Sequence, residues 1–136
     1  MTEYPLTGGC LCGGVRFEID EPFLSASYCH CTRCQRRTGT SSSAQGRVAP
    51  GALRILKGDD LVREWAPENG WPKCFCANCG SALWSRDPES GAKGVRLGSI
   101  DGDPGIRPQY RQFVAYAAPW EPIPDDGLER FPDGKR

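Results

Sequence analysis

Short stretches of alternating apolar and polar residues recur along the chain, separated by turns rich in glycine, proline and aspartate. Residues 15–20, Val-Arg-Phe-Glu-Ile-Asp, show this alternation clearly. Because successive side chains of a strand point to opposite faces, a period of two indicates a half-buried strand. Similar reasoning predicts strands at 23–28, 53–57, 61–65, 71–76, 81–85, 94–98 and 109–116, and a strand or extended segment at 40–44.

Helical periodicity is almost absent from the chain. Residues 35–39 are predicted to form a short helical turn that Gly39 closes. The segments 53–57 and 61–65 are separated by Gly-Asp-Asp, which predicts a hairpin. We therefore expect a mostly-β single domain of small antiparallel sheets with little helix.

Composition sharpens this expectation. The chain has 136 residues, and its 17 Lys and Arg balance 17 Asp and Glu. The zero net charge argues against a nucleic-acid or membrane-surface role that depends on a large basic face. Hydrophobic residues make up 38%, beside 17 glycines and 12 prolines, so the core is modest and bound metal would supplement it.

The sequence shows no secretory signal pattern and no long apolar run. The first seven residues lack a basic start and an apolar stretch, and no 18 consecutive residues are apolar. We expect a soluble, cytoplasmic protein without a transmembrane helix. Neither the composition nor the pattern indicates an oligomeric state.

Eight cysteines stand in three tight groups, which are Cys10 and Cys12; Cys29, Cys31 and Cys34; and Cys74, Cys76 and Cys79. Their spacings are C-x-C and C-x-x-C. Such spacings suit convergence on one ion, and a reducing cytosol disfavours disulfides. The sequence therefore predicts metal sites, around which the sheets would be organised.

Spacing alone leaves the pairing of these groups open. Cys10 and Cys12 lie two residues apart, so both sulfurs of an extended chain face one ion, but two ligands do not complete a tetrahedral site. They could join Cys76 and Cys79 in a closed site, or they could complete the site of Cys29, Cys31 and Cys34.

The central group, Cys29, Cys31 and Cys34, has two interpretations. Three protein ligands with an exchangeable fourth position form the arrangement of a catalytic metal. Alternatively Cys74 supplies the fourth ligand, and the eight cysteines form two closed structural sites.

Four other residues lie within or beside this group. His30 points away from Cys29 and Cys31 if the chain is extended there, so a packing or supporting role is expected rather than metal ligation. Arg33, Arg36 and Arg37 could balance the charge of the thiolates. Arg36 and Arg37 are also candidates for binding a substrate carboxylate.

The order of motifs resembles the glutathione-dependent formaldehyde-activating enzyme family, whose domain is shared by centromere protein V. The segments that carry the resemblance are Gly8–Gly13, Cys29–Gly39, Phe75–Leu83 and Ala118–Trp120. It extends over residues 5–125 and leaves residues 126–136 as an irregular C-terminal tail. Two positions depart from the family pattern: Cys74, where a residue other than cysteine is usual, and Arg111, near a position that often carries histidine.

The resemblance implies two zinc ions. Cys10, Cys12, Cys76 and Cys79 match the ligands of a structural zinc, and Cys29, Cys31 and Cys34 match those of a catalytic zinc. The implied activity is that of a carbon–sulfur lyase, the reversible addition of glutathione to formaldehyde that gives S-hydroxymethylglutathione. Glutathione and an aldehyde would then be the partners. The alternative hypothesis is a non-catalytic, zinc-stapled binding module for a protein or a small thiol.

Overall fold

The computed structural model describes residues 2–135, and within them it contains one α-helix, eleven strands and three short 3₁₀ turns. The strands are β1 (Leu6–Gly9), β2 (Arg16–Ile19), β3 (Ser25–Cys29), β4 (Ser43–Val48), β5 (Leu53–Lys57), β6 (Val62–Trp65), β7 (Lys73–Cys76), β8 (Ala82–Arg86), β9 (Lys93–Arg96), β10 (Tyr110–Gln112) and β11 (Glu129–Arg130). The helix is α1 (Thr32–Thr38). The predicted mostly-β fold with little helix is confirmed.

The strands form two sheets. One has three antiparallel strands in the order β1-β2-β5. The other has eight strands in the order β11-β10-β3-β4-β9-β8-β7-β6. Most of its pairs are antiparallel, but β10 runs parallel to both β3 and β11, a feature that the sequence pattern did not predict.

The core lies between the two sheets. Phe17 and Ile19 of the small sheet are fully buried, as are Val15 directly before β2 and Leu83 and Val95 of the large sheet. The Phe17 ring meets the Trp84 ring edge to face, with 5.6 Å between centroids. Two of the cysteines that our prediction assigns to metal, Cys10 and Cys76, belong to this same apolar cluster, so the core and a cysteine group are continuous.

The predicted hairpin of residues 53–57 and 61–65 is wrong. Both strands exist, but β5 pairs with β2 in the small sheet and β6 pairs with β7 in the large one. The connection explains the divergence. Gly58 is left-handed (φ 82°) and a 3₁₀ turn follows at Asp59–Leu61, so the chain is redirected instead of folding back on itself.

The helix begins earlier than residues 35–39. The Cys31 thiol accepts a hydrogen bond from the Cys34 amide and caps the N-terminus, so the first turn includes Cys34. The helix ends as predicted at Gly39, which is left-handed (φ 68°) and returns its amide to the Gln35 carbonyl.

The last predicted strand, 109–116, is regular only at β10. Phe113 takes a left-handed conformation (φ 57°), and a 3₁₀ turn follows at Val114–Tyr116. The C-terminal segment then runs alongside β10. The Phe131 amide donates to the Arg111 carbonyl, and β11 adds a two-residue strand to the otherwise irregular residues 126–135. Within residues 2–135, no helix has the length and apolar character needed to cross a membrane.

We predict that Gly58→Ala is much more destabilising than Gly102→Ala. Both positions are left-handed, so both substitutions cost about 1 kcal/mol of backbone strain. At Gly58, however, an added Cβ would lie 2.0 Å from the Gly14 carbonyl oxygen, whereas nothing lies within 4 Å at Gly102. We expect Gly58→Ala to lose about 1–3 kcal/mol more of unfolding free energy, measured by denaturant unfolding. Equal losses of unfolding free energy in the two variants would contradict this account of the connection.

Candidate metal centres

Four cysteines from two distant stretches of the sequence converge on one point. Cys10 and Cys12 follow β1, Cys76 ends β7, and Cys79 lies in the turn before β8. Their four sulfurs all lie within 4.8 Å of one another. The Cys10 and Cys12 sulfurs are 3.5 Å apart, and those of Cys12 and Cys76 are 3.9 Å apart. A tetrahedral ion with metal–sulfur distances near 2.3 Å needs sulfurs about 3.8 Å apart, so this cluster could hold a metal ion.

Backbone amides and one serine support these sulfurs. The Val15 amide lies 3.2 Å from Cys10 Sγ, and the Gly14 amide lies 3.4 Å from Cys12 Sγ. The Ser81 hydroxyl contacts Cys79 Sγ at 3.2 Å and accepts from the Leu11 amide at 2.9 Å, which ties the two loops together. Hydrogen bonding from Ser81, first from its hydroxyl, lowers the pKa of Cys79 to about 5 and favours the thiolate that a metal requires.

The second group is built on the start of the helix. Cys29 ends β3, Cys31 is the N-cap of α1, and Cys34 lies in its first turn. The three sulfurs lie within 4.8 Å of one another, so this group could also hold a metal ion. Hydrogen bonds from Cys29 and then Cys31 hold the pKa of Cys34 well below its usual range, while hydrogen bonds with Cys31 and then Cys34 raise the pKa of Cys29.

Within residues 2–135, no fourth cysteine, histidine or carboxylate joins this three-cysteine group. Cys74 is buried elsewhere, with its sulfur 3.8 Å from Glu64 Oε1, and burial raises its pKa to about 11. Cys74 therefore does not complete this group. Of the two pairings that the spacing left open, Cys10 and Cys12 lie with Cys76 and Cys79 and not with the three-cysteine group.

His30 lies outside both groups, as the alternation of an extended chain predicted. It is buried, and its Nε2 accepts a hydrogen bond from Arg111 Nη1 at 3.2 Å. Arg111 also donates to Asp126 at 2.9 Å and stacks over the Tyr28 ring at 4.3 Å. Burial and then Arg111 lower the pKa of His30, so the ring is neutral and acts as an acceptor. Arg111 thus has a structural role, since it contacts His30, Asp126 and Tyr28. The sequence analysis identified it only as a departure from the family pattern.

A cavity of about 280 Å³ opens beside the three-cysteine group. All three cysteines line it, together with Trp71, Phe113 and the cations Arg33, Arg37, Lys73 and Arg96. A larger groove of about 830 Å³ passes Cys10 and Cys79 and contains none of these three cysteines. The smaller cavity therefore gives a small molecule access to the three-cysteine group.

The two arginines predicted to bind a carboxylate are separated. Arg37 enters this cavity, and its guanidinium donates to the Cys74 carbonyl at 2.8 Å. Burial, then Arg96, lowers the pKa of Arg37 to about 10. Arg36 is exposed and lines an adjoining cavity of about 420 Å³ with Trp65 and Phe75. Both arginines remain predictions as ligand-binding residues.

Sequence reasoning missed Lys73, Ser85 and Arg96, which come from β7, β8 and β9. Their only signal in the sequence is a polar residue inside an apolar strand. That signal indicates a buried polar group without giving its partner.

The model of the family described as glutathione-dependent formaldehyde-activating enzyme matches residues 5–116. The chain belongs to this family. A curated protein of Halomonas elongata named "Putative glutathione-dependent formaldehyde-activating enzyme" is 28% identical over 89 residues, which are 61% of this chain and 57% of that protein's length. A crystal structure of a Rhodobacter sphaeroides protein is 21% identical and superposes with a TM-score of 0.60 over 92% of this chain and 98% of its own, which is a likeness of fold.

We predict that Cys79→Ser loses one equivalent of bound metal, whereas Cys74→Ser keeps both. Cys79 belongs to the four-cysteine group and Cys74 to neither group. Loss of a thiolate also removes a link between two parts of the core, so the midpoint of thermal unfolding should fall more for Cys79→Ser. Metal content by mass spectrometry and thermal unfolding measure the two effects. Loss of an equivalent from Cys74→Ser would contradict the assignment.

Proposed function

We propose that the protein is a zinc-dependent carbon–sulfur lyase that adds a thiol reversibly to an aldehyde, with glutathione and formaldehyde as the pair that the family name suggests. The observation that carries the proposal is the three-cysteine group, Cys29, Cys31 and Cys34, at the wall of a cavity. Within residues 2–135 this group has no fourth protein ligand, so an ion held by these three cysteines would keep one position for a ligand from the cavity.

Zinc is the metal that fits both donor sets. Thiolates are preferred zinc ligands, and four of them make a closed structural site whereas three leave a place for substrate. We assign the structural ion to Cys10, Cys12, Cys76 and Cys79, and the catalytic ion to Cys29, Cys31 and Cys34. When bound there, zinc supplies Lewis acidity that lowers the pKa of an incoming thiol or polarises an aldehyde oxygen.

The addition of a thiol to an aldehyde requires few catalytic groups from the protein. The thiol sulfur forms a bond to the aldehyde carbon, the carbon–oxygen π bond opens, and the oxygen receives the proton that the thiol loses. The residues around the cavity have to hold the two reactants together, which can contribute several kcal/mol to lowering the barrier. Trp71 and Phe113 contribute apolar walls, and Arg37, Lys73 and Arg96 contribute positive charge that favours thiolate over thiol.

Glutathione carries carboxylates that the cations here could bind. Arg37 lies in the cavity, and Arg36 lines the adjoining one, so we keep both as candidates for these carboxylates. All eight cysteines are free of disulfides, which suits a reducing compartment, and we propose a cytoplasmic location.

The alternative of a non-catalytic binding module rested on Cys74 as a fourth ligand and on the absence of a histidine near position 111 of the sequence. Cys74 instead contacts Glu64, so no specific contact favours that alternative. The two functions also differ in turnover, because a binding module would bind a thiol without converting it to an adduct.

We predict that Cys34→Ser abolishes thiol–aldehyde adduct formation while the four-cysteine site keeps its zinc. The variant should lose at least about a hundredfold in rate, since it removes one of three ligands of the catalytic ion. Exchange between glutathione, formaldehyde and S-hydroxymethylglutathione can be followed by NMR, with Cys74→Ser as the matched control. Full catalysis by Cys34→Ser at reduced zinc content would overturn the proposal.

A further inference from the structure

Three cations meet at one serine beside the cavity. Arg37 Nη1, Lys73 Nζ and Arg96 Nη2 lie 3.4, 3.3 and 3.4 Å from Ser85 Oγ. They come from α1, β7 and β9, and all three also line the cavity that contains the three-cysteine group. Arg96 is 7% exposed, and Ser85 is 6% exposed, so this meeting point is buried.

The donors at this point exceed what Ser85 can accept. A hydroxyl oxygen has two lone pairs, and the three contacts are long for charge-assisted hydrogen bonds, which are usually 2.7–2.9 Å. Arg37 Nη2 also donates to two main-chain carbonyls, at 2.8 and 3.3 Å, and Arg96 Nη1 donates to Gln45 Oε1 at 2.5 Å, but the buried Nε of Arg96 has no partner. The site therefore presents unused donor capacity around one small space.

Positive charge at this point is not balanced by carboxylates. Among residues 2–135, none of the six ion pairs includes Arg37, Lys73 or Arg96. Three thiolates with a divalent ion would carry one net negative charge, against three positive charges here. Placing like charges together in a partly buried site is unfavourable, and an anion bound between them would offset this cost.

We propose that Arg37, Lys73 and Arg96 form a binding site for a carboxylate of the substrate, directly beside Cys29, Cys31 and Cys34. This inference rests on the proposed function for the identity of the reaction, but the anion site is defined by the cations and the cavity alone. It differs from the sequence-based prediction, because Lys73 and Arg96 take part and Arg36 does not.

The position of the site restricts the substrate. Its carboxylate shares one cavity with the reacting sulfur and carbon, so one of the two reactants carries it. Either the thiol carries the carboxylate, as glutathione and its small analogue mercaptoacetate do, or the aldehyde carries it, as glyoxylate does. In both cases the sulfur–carbon bond forms and the aldehyde oxygen takes the thiol proton, and the carboxylate is unchanged.

The test compares Lys73→Met with Lys57→Met on the zinc-loaded protein. Both variants lose one positive charge, but Lys57 is exposed and lies outside the cavity. Isothermal titration calorimetry would measure binding of mercaptoacetate against 2-mercaptoethanol, and of glyoxylate against acetaldehyde. We expect Lys73→Met to weaken binding of at least one carboxylate-bearing probe about tenfold or more, and to leave its neutral counterpart unchanged. Lys57→Met should bind every probe as the unaltered protein does.

The pattern of losses identifies the source of the carboxylate. A loss confined to mercaptoacetate assigns it to the thiol, and a loss confined to glyoxylate assigns it to the aldehyde. Equal affinities of Lys73→Met and Lys57→Met for every probe would overturn the inference. If Lys73→Met fails to fold, judged by its thermal unfolding, Lys73→Gln replaces it under the same criteria.

Failure of the proposed function would look different. Mercaptoacetate and glyoxylate would still bind in a Lys73-dependent manner, but no adduct would form faster than in solution. The opposite result would be fast adduct formation from 2-mercaptoethanol and acetaldehyde, together with equal binding of mercaptoacetate and glyoxylate whether or not Lys73 is present. That result would support the reaction and reject the anion site.

Discussion

The structure depends on the convergence of Cys10 and Cys12 with Cys76 and Cys79, whose sulfurs lie within 4.8 Å of one another. The first pair follows a strand of the small sheet, and the second pair lies at the end of β7 and in the turn before β8 of the large sheet. An ion bound at this point would therefore link the two layers directly. Cys10 and Cys76 are themselves part of the apolar core. In a chain with a modest hydrophobic content, binding energy at such a site is also folding energy.

The three-cysteine group differs from the four-cysteine group in its number of ligands and in the charges around it. Its sulfurs sit at the start of a seven-residue helix, and the group carries fewer ligands than a closed site needs. Arg37, Lys73 and Arg96 place three positive charges beside it, more than the one net negative charge that three thiolates with a divalent ion would carry. Charge that the protein leaves unbalanced in a buried cavity is most simply explained by a ligand that brings the missing anion.

Local patterns predicted most strands and the metal-binding character of the cysteines, because alternation and C-x-C spacing are properties of a few adjacent residues. Long-range pairing was not predictable in the same way. The turn at Gly58 looked like a hairpin turn, yet β5 and β6 pair in different sheets. The sequence did not show that Cys74 contacts Glu64 instead of a metal site. The proposed anion site was also not predictable, because its residues come from three strands and a helix that meet only in the folded chain. Family membership supplied the pairing of the cysteines that spacing left open, and the coordinates place them accordingly.

The central claim is that the two cysteine groups are unequal, one closed and one open to substrate. Cadmium-113 NMR of the protein loaded with two cadmium ions tests this most directly, because the resonance reports the ligands of each ion separately. The account predicts two resonances, of which one stays fixed and the other moves when glutathione is added. Two resonances that both remain unmoved at saturating glutathione would contradict it.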